Sequence, residues 1–110
     1  MRMWGINPEL MCRKHLLGEH VEMHMFIGTI NKGISISGYI EKGLVNPAQI
    51  RFRHNELVKE MEKRGYNHQS PLPLIKPEIL IPFIPVDIEG SKKELARRCS
   101  ECLVNINKVA

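Results

Sequence analysis

The chain has 110 residues, enough for one domain with a single modest core and too few for two. Apolar residues make up 43% and charged residues 25%, ordinary globular values; no apolar run approaches the ~18 residues that cross a bilayer, and the N-terminus lacks the apolar core of a signal peptide, so a soluble, cytoplasmic protein without membrane contact is expected. The net charge of +4 and pI near 9.1 suit a polyanionic partner without identifying one, and an aromatic share of 5% leaves few side chains for stacking on bases.

Asn7-Pro8-Glu9 is a helix start: Asn7 can cap, Pro8 fits the first helical position, and Glu9 suits the positive end of the dipole. The pattern predicts a first helix from there to about Asn31, stopped by Gly33, with Gly18 and Gly28 weakening it from within. Residues 33 to 46 read as a loop or a short extended piece. Asn46-Pro47 starts a second helix to Arg64, with Ile50, Leu57, Val58 and Met61 at helical spacing and Gly65 as the stop. Tyr66 to Gly90 holds Pro71, Pro73, Pro77, Pro82 and Pro85, which exclude a continuous helix. Apolar residues interleave with them, so extended chain packed across the helices is expected. Ser91, with Glu94 at the capping-box position, caps a third helix to about Asn107. The expected fold is all-α: one domain over 1–110, three helices, and a long proline-rich irregular segment between the second and third.

On a wheel of the first helix, His15, Glu19 and Glu22 fall within about 60° of one another. Leu10, Leu17, Val21 and Met25 gather on another stripe. A solvated face, or an i, i+4 His-Glu pair, explains the first stripe without function. His20 and His24 are also four apart, but the motif is H-V-E-M-H rather than H-E-x-x-H, and Glu22 turns away from the two histidines. No metal site is therefore expected. Cys99-x-x-Cys102 is half of a zinc site without a matching pair, and Cys12 stands apart, so reduced thiols are the expectation.

The segment Arg13-Lys14-His15-Leu16-Leu17-Gly18-Glu19-His20-Val21-Glu22 resembles the first helix of the pyrimidine-dimer DNA glycosylases of the phage endonuclease V type. The segment from Glu56 to His68, with its Lys63-Arg64-Gly65-Tyr66-Asn67 corner, resembles the end of that family's second helix. Order and separation agree over roughly residues 1 to 70. The resemblance implies a compact helical domain acting on damaged double-stranded DNA as a monomer, without cofactor. It places Glu22 on the family's catalytic glutamate and Met1 on its N-terminal nucleophile. Arg2 is too large to permit removal of the initiator methionine, so Met1 is expected to remain. An α-amine, with a pKa of about 7.7 to 8.0, is a better neutral nucleophile than an ordinary lysine. The implied activity is glycosidic cleavage followed by AP-lyase strand scission through an imine at that amine. His15 and Glu19 are expected beside the sugar, Glu19 being either a substrate contact or structural. Arg2, Arg13, Lys14 and Arg64 are expected on DNA, with Arg51, Arg53 and Lys63 as further phosphate candidates. Trp4 either stacks on a base or packs beneath the N-terminus.

Two departures bear on recognition. The family's arginine before the glutamate is Val21 here, and a second after it falls among Met23, His24 and Met25. The family's aromatic, basic tail is replaced by residues 102 to 110, Cys-Leu-Val-Asn-Ile-Asn-Lys-Val-Ala, which leaves open a related damaged base or an abasic site as substrate. The alternative is a non-catalytic nucleic-acid-binding module on the same scaffold.

Overall fold

The computed structural model describes residues 1–68 and 71–108; residues 69 and 70 of the expected crossing segment and the last two residues of the tail lie outside it. The described residues contain no strand, as the all-α reading requires. They form five α-helices rather than three: α1 (Arg13–Asn31), α2 (Ser37–Glu41), α3 (Ile50–Lys63), α4 (Ile88–Arg98) and α5 (Ser100–Lys108).

Each difference has a physical cause. The cap at Asn7 is real, its side chain accepting the Glu9 amide, but it opens only a 3-10 turn over Pro8–Leu10. The Arg64 guanidinium donates to the carbonyls of Pro8 and Met11 at 3.1 and 2.8 Å. Those carbonyls are thereby satisfied from α3, the chain extends at Met11 and Cys12, and α1 begins afresh at Arg13. Asn46-Pro47 likewise opens a 3-10 turn, Pro47–Gln49, ahead of α3. In the expected loop, one helical turn (α2) sets Tyr39 edge-on against Phe26. The third expected helix is capped by Asp87, which accepts the Gly90 amide, and it divides at an extended Cys99. Ser91 is buried inside α4, and Glu94 pairs with Arg97 and Arg98 instead of capping.

The core face of α1 also differs from the wheel reading. Leu16, Met23, Phe26, Ile27 and Ile30 are buried with Glu19 and His20, while Val21 is 54% and Met25 49% exposed. The apolar stripe lies beside the Glu19 stripe, so a carboxylate sits within the core face. α1 packs chiefly on α3, which buries Ile50, Leu57 and Met61. The crossing segment follows the helices less closely than its composition suggests: Leu72 is buried, but Leu74, Leu80 and Phe83 are exposed. Polar clasps hold it. Arg51 donates to the carbonyls of Leu72 and Pro73, and Asn31 bonds the backbone at Leu74 and Lys76.

Gly43 takes φ +69°, and its carbonyl accepts the Asp87 amide at 3.1 Å. Next to it, the Leu44 carbonyl accepts the Met3 amide at 2.6 Å. The start of α4 and the N-terminal segment therefore meet at one turn, which brings α4 over the N-terminus.

Candidate active site

Residues 1 to 6 carry Met3, Trp4 and Ile6 into the core, so the N-terminal segment is anchored rather than frayed. Its register is set by Glu19. That fully buried carboxylate accepts the Arg53 Nε at 2.5 Å and Nη2 at 2.8 Å, and the amides of Trp4 and Gly5 as well. Gly5 holds φ +72°, where a Cβ would come within 2.6 Å of Ile88 Cδ1. Burial pushes the Glu19 carboxyl up; the Arg53 guanidinium and the two amides oppose that shift. Arg53 also donates to the Ile6 carbonyl and to Glu56, so one buried guanidinium ties α3, α1 and the N-terminal segment together.

Glu22 lies one turn beyond Glu19. The α-amine of Met1 stands 3.9 Å from Glu22 Oε1, and the Arg2 amide donates to the same carboxylate. Burial raises the Glu22 carboxyl above its ordinary value, against the pull of the terminal amine and that amide. The Arg2 guanidinium lies 3.9 Å over the Trp4 ring and donates to Ser91 Oγ at 3.0 Å, and Arg98 flanks the same ring at 5.7 Å. Burial and the neighbouring Arg98 lower the Arg2 pKa. The amine, Glu22, Arg2, His15, Lys14 and Arg98 border one open cleft of about 610 Å³. An amine and a carboxylate face each other at its wall, ringed by three cations.

A family model described as pyrimidine dimer DNA glycosylase matches residues 1–74. The chain belongs to this family. No curated protein and no solved structure matches it. The family match places the protein among DNA-repair glycosylases, enzymes whose substrate is DNA. It ends before α4, so Arg98 reaches the cleft of this glycosylase from outside the matched region, and buried Ser91, which accepts from Arg2, also lies outside it.

Of the residues expected at the site, Met1, Arg2, Lys14, His15, Glu19 and Glu22 border the cleft. Within it, the Glu19 carboxylate is turned inward and held by Arg53. Arg13 lies outside that cleft, over Tyr66 at 5.2 Å. Arg64 is bonded to Glu60 and to the carbonyls before α1. Among the further phosphate candidates, Arg53 is buried, Arg51 holds the crossing segment, and Lys63 pairs with Glu9 at 3.0 Å. Trp4 is buried beneath the N-terminus, the packing alternative rather than the stacking one. Arg98 was missed, because only tertiary packing brings it to the cleft.

Two clusters of potential metal ligands were missed too. Cys12, His15, Cys99 and Cys102 bring one ligand atom each within 4.8 Å of the others, and so do His20, His24, His54 and His68. The matching half for Cys99-x-x-Cys102 is Cys12-x-x-His15, legible only when histidine is counted as its fourth member. Glu22 does face away from His20 and His24, as expected, but His54 and His68 complete that pair from α3 and the corner after it.

Proposed function

We propose that the protein is a pyrimidine-dimer glycosylase with AP-lyase activity, in which the Met1 α-amine is the nucleophile and Glu22 its acid–base partner. The observation that carries this reading is the approach of the amine to Glu22 at the wall of an open cationic cleft. The neutral amine donates its lone pair to C1′ of the damaged nucleotide as the glycosidic bond breaks, and the base leaves with the pair of the broken bond. The nitrogen then loses a proton and the sugar ring opens, its oxygen leaving C1′ to give an imine. The imine acidifies C2′. Loss of a C2′ proton expels the 3′ phosphate oxygen and cuts the strand. Glu22 stabilises positive charge as the base departs and carries protons through imine formation and elimination.

The lesion nucleotide is everted before attack, at a cost of a few kcal/mol. Arg2, Lys14 and Arg98 border the amine and supply cationic contacts to flanking phosphates. Glu19 acts as a positioning residue, since its carboxylate is committed to Arg53 and to the amides of Trp4 and Gly5. His15 faces the cleft from the first turn of α1, beside the sugar.

The test compares the untagged protein with a form extended by one glycine before Met1, on duplexes carrying a thymine cyclobutane dimer or an abasic site. The extension moves the amine by one residue and leaves the cationic cleft in place. Cleavage by the untagged protein and binding without cleavage by the extended form are expected. Equal cleavage by both forms overturns the amine's role, and binding without cleavage by both favours a non-catalytic module.

A further inference from the structure

We propose that Cys12, His15, Cys99 and Cys102 form a tetrahedral zinc site that clasps the C-terminal helices onto the catalytic half of the molecule. This rests on the cluster's own geometry and not on the proposed reaction. A zinc ion with Zn–S near 2.3 Å and Zn–N near 2.0 Å separates its sulfurs by about 3.8 Å, and sulfur from nitrogen by about 3.6 Å. Here Cys12 and Cys99 Sγ are 3.8 Å apart, and His15 Nδ1 lies 3.1 Å from Cys12 Sγ and 3.8 Å from Cys102 Sγ. The donor set, three sulfurs and one imidazole nitrogen, is a closed structural set with no position left for substrate.

The backbone is shaped for the same purpose. Cys12 is the extended residue before α1, and His15 lies in the first turn of that helix. Cys99 is the extended residue before α5, and Cys102 lies in its first turn. Neither break has a glycine or proline at it, and both turn a thiol inward. The Cys12 amide donates to Cys102 Sγ at 3.3 Å, and the amides of Glu101 and Cys102 face Cys99 Sγ. Such donors stabilise thiolate charge around a metal. Two thiols are buried, and Lys14 and Arg98 near His15 offset the charge of three thiolates.

Untagged full-length protein should contain zinc. Cobalt replacement should give an intense thiolate-to-cobalt absorption, which Cys99→Ser weakens strongly and Cys102→Ser also weakens. Removing the metal should lower the melting temperature and make three thiols reactive towards a thiol reagent. Absence of the thiolate–cobalt band in cobalt-loaded protein overturns the proposal. So do three freely reactive thiols in the metal-loaded protein, and thiols that react only after reduction, which indicate a disulfide.

A second cluster independently points to a second site for a divalent transition-metal ion with nitrogen ligands, at His20, His24, His54 and His68. Three of the ring pairs involve His20, with centroids 4.8 to 5.0 Å apart. Buried His20 presents an Nε2 with no hydrogen-bond partner among the described residues, and so does His68. His54 Nδ1 faces Asn55 Oδ1 at 3.0 Å, the kind of outer contact that orients a ligating imidazole ring. The donor set carries no charge and suits zinc, copper or nickel. Cobalt titration of the His68→Gln variant tests it, because His68 lies beyond the end of α3 and its loss spares both helices. The variant should lose one cobalt equivalent while keeping the thiolate band; equal cobalt uptake by the variant and its parent overturns this second site.

Discussion

Glu22 meets three neighbours that act on its charge: the α-amine, Arg2 through its amide and its guanidinium, and the buried Glu19 carboxylate. Burial outweighs the first two and raises its pKa, so the ionised form is present above that raised value and is lost as pH falls through it. In the proposed reaction, protonation of Glu22 should slow single-turnover cleavage of an abasic duplex as pH falls, the decline setting in above the ordinary glutamate value of about 4.3. A rate that shows no such decline down to about pH 4 contradicts the carboxylate's role. Glu22→Gln should reduce cleavage by about 10²–10⁴-fold while the melting temperature holds nearly constant. Unchanged cleavage by this variant removes Glu22 from the chemistry.

At the scale of elements, the α1–α3 pair is organised around Glu19 and Arg53. Removing one partner of such a buried pair leaves the other charge unpaired, at a cost of about 3–5 kcal/mol. Arg53→Ala should therefore lower stability by that amount in denaturant unfolding, and it should loosen the N-terminal segment, because Arg53 also holds the Ile6 carbonyl. A loss below about 1 kcal/mol means the pair is not what holds the segment. Much of this layer was legible in the sequence. Asn7 and Asn46 do cap, each a 3-10 turn rather than a long helix, Gly33 and Gly65 do follow helices at positive φ, and the described residues from Tyr66 to Asp87 are out of helix. The splits at Cys12 and Cys99 were not legible, because neither has a local breaker. They follow from contacts more than fifty residues distant in sequence, Arg64 on Met11 and Cys99 on Cys12. The core face of α1 was misjudged because a buried ion pair lets Glu19 sit among apolar side chains, so hydrophobic periodicity pointed to the wrong stripe.

At the scale of the whole molecule, two halves meet at the cleft. The family-matched half brings Met1, Arg2, His15, Glu19 and Glu22, and α4 adds Ser91 against Arg2 and Arg98 beside Trp4. The approach of Glu22 to the N-terminus was implied by the resemblance of the first helix to that of the family. The contribution of α4 was not, since it depends on the turn at Gly43 and Leu44 that joins the ends of the chain. The clasp at the cysteines would hold α4 and α5 where Arg98 reaches the cleft. The proposed reaction depends above all on the α-amine as nucleophile. Borohydride reduction of untagged protein mixed with a dimer-containing duplex, followed by peptide mass analysis, tests it most directly. A stable covalent adduct on the peptide beginning at Met1 is expected. An adduct on a lysine instead, or none from protein with a verified free α-amine, would contradict it.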